Sequence, residues 1–124
     1  MNAPLARPIL VADAALLPIP VRADTNEPTL RRGDVALVSR CSKFVGEGLY
    51  AITWVLGEVA FYQVSHSCKK TDELHLWVEN KLYGHTAHNP LIFSREDFAR
   101  CVVGKVAVRA NILDHSIVPR LFDL

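Results

Sequence analysis

Long apolar runs are missing from this chain. No stretch reaches the roughly 18 consecutive apolar residues that a membrane-crossing helix needs, although half of the 124 residues are hydrophobic. That argues against a membrane protein. Charge of one sign is missing too: 14 Lys and Arg face 13 Asp and Glu, for a formal net charge of +1. No broad field for nucleic acid or anionic lipid follows from such a balance. Cysteine is scarce and odd in number. Cys41, Cys68 and Cys101 cannot all pair within one chain, which fits thiols kept reduced in the cytoplasm. Paired C-x-x-C spacing is absent. His66-Ser67-Cys68 and His85-x-x-His88 bring ligand types close without the spacing of a structural zinc site, so neither metal nor cofactor is expected. A secretory signal is not read either, because Pro4, Arg7, Pro8 and Asp13 interrupt the apolar patches near the start.

What is present is a succession of short strand-like runs. Residues 19–22, 35–39, 49–55, 59–67, 74–79, 91–93 and 102–110 read as strands, separated by Gly-, Asn- and Lys-rich turn signals. Such spacing predicts a mainly β domain with one or two short helical turns. Residues 49–67 read as a hairpin turning at Leu56-Gly57-Glu58. Ser94-Arg95-Glu96-Asp97-Phe98 reads as a helical turn, with Ser94 as N-cap and Asp97 as its capping-box partner. Trp54 and Trp77 read as core or interface aromatics. The chain divides into an N-terminal arm (residues 1–18) and one domain (residues 19–124).

One segment is far more specific than the rest. Asp24-Thr25-Asn26-Glu27-Pro28-Thr29-Leu30-Arg31-Arg32-Gly33-Asp34 resembles the active-site segment of LexA-like and signal-peptidase-like serine–lysine peptidases, G-D-S-M-E-P-T-L-x-x-G-D. Gly57-Glu58-Val59-Ala60-Phe61-Tyr62-Gln63-Val64 is similar to the strand that carries the family's lysine, and Val102-Val103-Gly104-Lys105-Val106-Ala107-Val108 to its closing strand. Asn89-Pro90-Leu91-Ile92 matches the family's N-P-x-Y-x-P-I segment in shortened form. The resemblance covers roughly residues 19–110. It implies a LexA/signal-peptidase-like fold of the β-clip type.

The chemistry departs from that pattern. The serine's place is taken by Thr25 and the lysine's by Tyr62. The reaction needs an amine neutral near pH 7 to take the hydroxyl proton. A phenol with an ordinary pKa of about 10 is already neutral and protonated, so it cannot do this. Thr25 is expected to hydrogen-bond its local turn. Tyr62 is expected to fill the volume of a lysine stem, within several ångströms of Thr25. Glu27-Pro28 and Asp34 read as scaffold. The Ala-Gly or Cys-Gly bond that LexA-like proteins cut is absent from the sequence.

The resemblance therefore implies a catalytically inactive domain used for dimerisation or protein interaction. The expected partner is a second copy or the LexA-like domain of a phage or SOS-type repressor. Candidate interface residues are Val102, Val106, Val108, Ile117, Leu121 and Phe122. About twenty residues precede the core, too few for a helix-turn-helix, so direct DNA binding is not expected. Two alternatives remain: a divergent self-cleaving peptidase using Thr25, and a UmuD-like accessory subunit of a polymerase.

Overall fold

A computed structural model of the chain describes residues 8–11, 14–53 and 57–117. Eight strands are present among them: β1 Ile9–Val11, β2 Ala14–Pro20, β3 Val35–Arg40, β4 Gly48–Thr53, β5 Val59–His66, β6 Glu73–Trp77, β7 Leu91–Ser94 and β8 Val102–Ala110. A single α-helix, α1 (Arg95–Cys101), and a 3-10 turn at His115–Ile117 complete them. The strands form one antiparallel sheet in the order β1-β2-β3-β8-β4-β5-β6-β7. The protein is mainly β, as the spacing of its short apolar runs predicts. No helix among the described residues is long and apolar enough to cross a membrane.

The last strand lies inside the sheet. β8 inserts between β3 and β4, and Gly104 makes the close approach possible. A Cβ built on Gly104 would lie 2.3 Å from the Ser39 carbonyl oxygen and 2.6 Å from Val38 Cγ1. Two irregularities in β8 break its periodicity. Its register shifts against β4 between Ala51 and Ile52, and against β3 between Leu37 and Val38.

Alternation along the strands buries both faces of the sheet's centre. On β4, Leu49 and Ala51 join one apolar cluster, while Tyr50 and Ile52 join another. The period of two sends these pairs to opposite faces. The first cluster is closed by β2 and by Val21 and Leu30 from the connection between β2 and β3. The second is closed by Phe98 of α1, whose ring stands edge-on to Tyr50 with centroids 5.2 Å apart. Ser94 caps α1 as its sequence suggests, accepting from the Asp97 N–H at 3.0 Å. Asp97 itself differs from expectation. Its carboxylate turns to Arg100, three residues on, at 3.3 Å, where an opposite charge competes with the capping contact.

The first strands also depart from the sequence reading. Within residues 1–18, read above as an arm, Ile9–Val11 is a strand and Ala14–Pro20 begins one, and Leu16 and Leu17 are buried. The sequence reading leaves Pro18 in the arm and places Pro20 inside a strand over residues 19–22. The Val21 N–H donates to the Asp34 carbonyl, so by alternation the odd residues of β2 carry the ladder to β3. The prolines then face away from β3, where no N–H is required of them. The expected turn at Leu56 and the residue Trp54 lie outside the described residues, whereas Gly57 adopts φ 78° and the β4–β5 pairing is antiparallel. β6 ends at Trp77, and the Val78 N–H goes instead to the His85 carbonyl.

The Gly104 contact is testable. Gly104→Ala should destabilise the fold by about 1–3 kcal/mol, as overpacking does. Gly84→Ala, where a Cβ meets nothing within 4 Å, should be close to neutral. Urea unfolding of the two variants beside the wild type makes the comparison.

Candidate functional site

The segment of residues 24–34 forms a compact turn between β2 and β3. Its own backbone closes it: the Leu30 N–H donates to the Asn26 carbonyl at 2.9 Å, and the Asp34 N–H to the Arg31 carbonyl at 3.0 Å. The buried Asp34 carboxylate accepts from the Arg31 N–H at 2.9 Å and lies 3.8 Å from Arg109 Nε. The Glu27–Pro28 peptide is cis. Leu30 drops into the first cluster and anchors the turn from below.

Asn26 holds this turn to the sheet. It is 1% exposed. Its Nδ2 donates to the Phe61 carbonyl on β5 at 2.7 Å, and its Oδ1 accepts from the Glu79 N–H at 3.3 Å. A carbonyl can only accept and an N–H can only donate, so the two partners fix the amide's orientation. Further bonds run to residues 79–83. The Asn80 N–H donates to the Thr25 carbonyl at 2.9 Å, and Asn80 Nδ2 to the Asp24 carbonyl at 3.1 Å. The Glu79 carboxylate accepts from the Thr29 hydroxyl at 2.7 Å and from Gln63 Nε2 at 2.7 Å. The Tyr83 hydroxyl donates to the Asp24 carboxylate.

The two positions singled out by the resemblance are placed as follows. Thr25 is half-buried. Among the described residues its hydroxyl oxygen has one hydrogen-bond partner, Asn26 Nδ2, at 3.4 Å. That partner donates, which is the opposite of what activates a hydroxyl nucleophile: a group that takes the proton away. Tyr62 is half-buried on β5, directly across from Tyr50, and packs against the cluster that contains Phe98. Phe61, its neighbour in the chain, faces the other cluster and offers its carbonyl to Asn26. The turn thus meets β5 one residue from Tyr62, while the Tyr62 ring occupies the α1 side of the strand. Burial pushes the Tyr62 phenol above its ordinary pKa. Lys69 and Lys70 lie in the exposed turn between β5 and β6, with Lys70 Nζ 3.3 Å from Glu73.

The candidate interface residues that are described do not share one surface. Val102 is half-buried against the cluster beneath α1, and Val106 packs against the first cluster. Val108 is 41% exposed, and Ile117 38% exposed at the 3-10 turn. Cross-strand partners share a face, and Val106 and Val108 pair with adjacent residues of β3, Val38 and Leu37. The bulge therefore turns the two valines to opposite faces. Leu121 and Phe122 lie outside the described residues. Of the metal-ligand types noted in the sequence, His66 Nδ1 sits 3.0 Å from a Glu47 carboxylate oxygen, and Cys68 is exposed. Trp77 is half-buried on β6.

Sequence reasoning passed over Glu79, Asn80, Gln63 and Tyr83, which hold the turn from the far side. The available signal was the polar pair Glu79-Asn80 directly after the alternating Leu74, Leu76 and Val78, where a strand gives way to a turn. In comparison with known proteins, no protein-family model and no curated protein matches the chain.

Two predictions follow from this geometry. Asn26→Ala leaves the Phe61 carbonyl and the Glu79 N–H without that partner, at about 1–3 kcal/mol for each buried group. Thr25→Ala, which removes only a 3.4 Å contact, should stay within about 0.5 kcal/mol of wild type. Urea melts of both variants give the comparison. The second prediction concerns pH. The Tyr83 hydroxyl holds the Asp24 carboxyl below its ordinary pKa, and Asp24 in turn raises Tyr83 above the usual phenol value. The Asp24 contribution to stability is present above its unfolded pKa and lost as pH falls through the lower folded value. The Tyr83 contribution is present below its unfolded pKa and lost as pH rises through the higher folded one. In an NMR titration, Tyr83→Phe should return Asp24 to the ordinary carboxylate range.

Proposed function

We propose that this chain is a catalytically inactive member of the LexA/UmuD-like peptidase-fold group, acting as a dimerisation or protein-interaction module. The partner chemistry that fits is a second copy or the related domain of a phage or SOS-type repressor. The observation that carries this reading is the state of the turn at residues 24–34. Its scaffold is bonded to β5 through Asn26, while the Thr25 hydroxyl oxygen has an amide donor at 3.4 Å where a nucleophile needs a proton acceptor. A tyrosine stands at the lysine position, and its ring packs on the α1 side of β5.

Exposed apolar side chains support the interaction half of the proposal. Val108 near the end of β8 and Ile117 just beyond it leave apolar surface open. Through such a surface two copies can associate about a twofold axis. The assignment of partner class rests on the resemblance, because fold alone does not determine function.

Two measurements test it. Sedimentation velocity on the full chain at micromolar concentration should show a dimer, with Val108→Asp shifting it to monomer while keeping its β circular dichroism spectrum. A strictly monomeric wild type with no affinity for a related repressor domain would sink the proposal. Separately, intact mass should stay constant during prolonged incubation at pH 10, for wild type and Thr25→Ala alike. Slow cleavage in the wild type alone would establish the self-cleaving peptidase instead.

A further inference from the structure

A half-open cavity of about 330 Å³ lies where the end of β3 meets β8. The strand register sorts its lining by face. Lys105 pairs with Ser39 on one side and with Tyr50 on the other, and directly opposed residues share a face. Cys41 lies two residues beyond Ser39 and packs on the cluster that contains Tyr50, so alternation sends it to that face as well. Arg40 and Val106 also border the cavity, but their side chains turn to the opposite face, where Val106 packs on the first cluster. One thiol and one amine therefore share the recess. Nothing in the proposed interaction role uses them.

Both groups are held in place. The Cys41 N–H donates to the Val103 carbonyl at 3.3 Å, which continues the β3–β8 pairing and makes Cys41 and Lys105 diagonal neighbours. A side chain of lysine's length bridges such a spacing. Tyr50 is fully buried, yet its hydroxyl donates to the Gly46 carbonyl at 2.6 Å and accepts from the Val45 N–H at 2.9 Å. That pins the loop against which Lys105 is laid. Lys105 Cε passes 2.6 Å from where a Cβ on Gly48 would stand, and Nζ 3.6 Å from the corresponding point on Gly46. The ammonium ends 5.9 Å from the Tyr50 ring centroid. Among the described residues no carboxylate lies within ion-pair distance of it. Burial pushes the Cys41 thiol above its ordinary pKa, against the pull of the Lys43 and Lys105 N–H groups and of the Lys105 ammonium. Lys105 is thus the cation that acts on this thiol.

A thiol beside an amine in an open recess is suited to passing an acyl group from sulfur to nitrogen. We infer that Cys41 and Lys105 form a modification site for small acyl thioesters, with Cys41 carrying the acyl group to Lys105. The Cys41 thiolate attacks the thioester carbonyl carbon; the bond from that carbon to the departing sulfur breaks, and the departing thiol leaves with the proton. Lys105, having released one proton to solvent, then attacks the new Cys41 thioester as a neutral amine. The amide forms, the Cys41–acyl bond breaks, and a second amine proton passes to the Cys41 sulfur. No oxidant or reductant is consumed and the thiol is regenerated. Holding both groups in one recess makes the second step intramolecular. The modified Lys105 loses its charge. Lys43 follows Cys41 closely in sequence but is exposed and does not line the cavity.

The test incubates the full chain with S-acetyl-N-acetylcysteamine, a small uncharged thioester, at mildly alkaline pH and follows each site by peptide mass spectrometry. Lys105 should be acetylated at least about tenfold faster than exposed Lys43, Lys69 and Lys70, the advantage of an intramolecular step. Cys41→Ser should abolish that advantage, whereas Cys68→Ser, at an exposed thiol, should preserve it. Rates are divided by those from N-hydroxysuccinimidyl acetate, which acylates amines without a thiol. A loss specific to the thioester then separates the relay from altered exposure of Lys105. A second readout needs no variant: early samples of the wild type should carry a hydroxylamine-sensitive acetyl group on Cys41 that declines as Lys105 acetylation rises. Any one of three results would overturn the inference: Lys105 no faster than the exposed lysines, an unchanged relative rate in Cys41→Ser, or a Cys41 that never carries the acetyl group.

Discussion

One buried amide joins three stretches of chain that are distant in sequence. Asn26 reaches a β5 carbonyl 35 residues away and a backbone N–H 53 residues away. A carboxylate in its place could not donate to Phe61, and an aliphatic side chain could do neither task, so the position calls for both a donor and an acceptor. The surrounding contacts depend on it. With the turn seated, Thr29 reaches Glu79, Asp24 meets Asn80 and Tyr83, and Leu30 fills the first cluster. These bonds tie the loop to the sheet at Phe61 and to the β6–β7 connection at residues 79–83, which is how a segment without regular structure acquires a single conformation.

The second organising constraint is the insertion of β8 into the middle of the sheet. A strand with neighbours on both edges and clusters on both faces leaves little room for variation, and Gly104 is the point of closest approach. Its bulges also separate functions along its length. The Val102 end serves the core beneath α1, Val106 serves the first cluster, and Val108 is left outside. Tyr50 couples the two levels from the neighbouring strand. The same side chain packs on Phe98 and fixes the loop at residues 45–46.

The sequence was informative where periodicity was local. Leu74-His75-Leu76-Trp77 alternates plainly, and β6 is there. Ser94 announced its helix because capping acts over three residues. β2 was partly hidden: its end reads as a strand from Ile19, while Ala14–Pro18 reads as part of the arm. Asn26 was hidden more deeply: nothing within a few residues marks an amide whose partners lie tens of residues away. The side chain directions on β5 were obscured by Phe61-Tyr62, two adjacent aromatics that blur a period of two. The resemblance of residues 24–34 pointed to a special turn. It did not disclose that the strongest contacts of that turn would come from Asn26 and Glu79 rather than from Thr25.

The two prolines of β2 have a consequence for behaviour in crowded solution. An open sheet recruits further strands through free N–H groups along its rims. Beyond the three residues that pair with β1, β2 continues through the buried Pro18 and the half-buried Pro20, and neither supplies an N–H. The opposite rim, β7, is only four residues long. Among the described residues neither margin offers the long, regular ladder on which fibrous growth propagates, so these edges resist polymerisation.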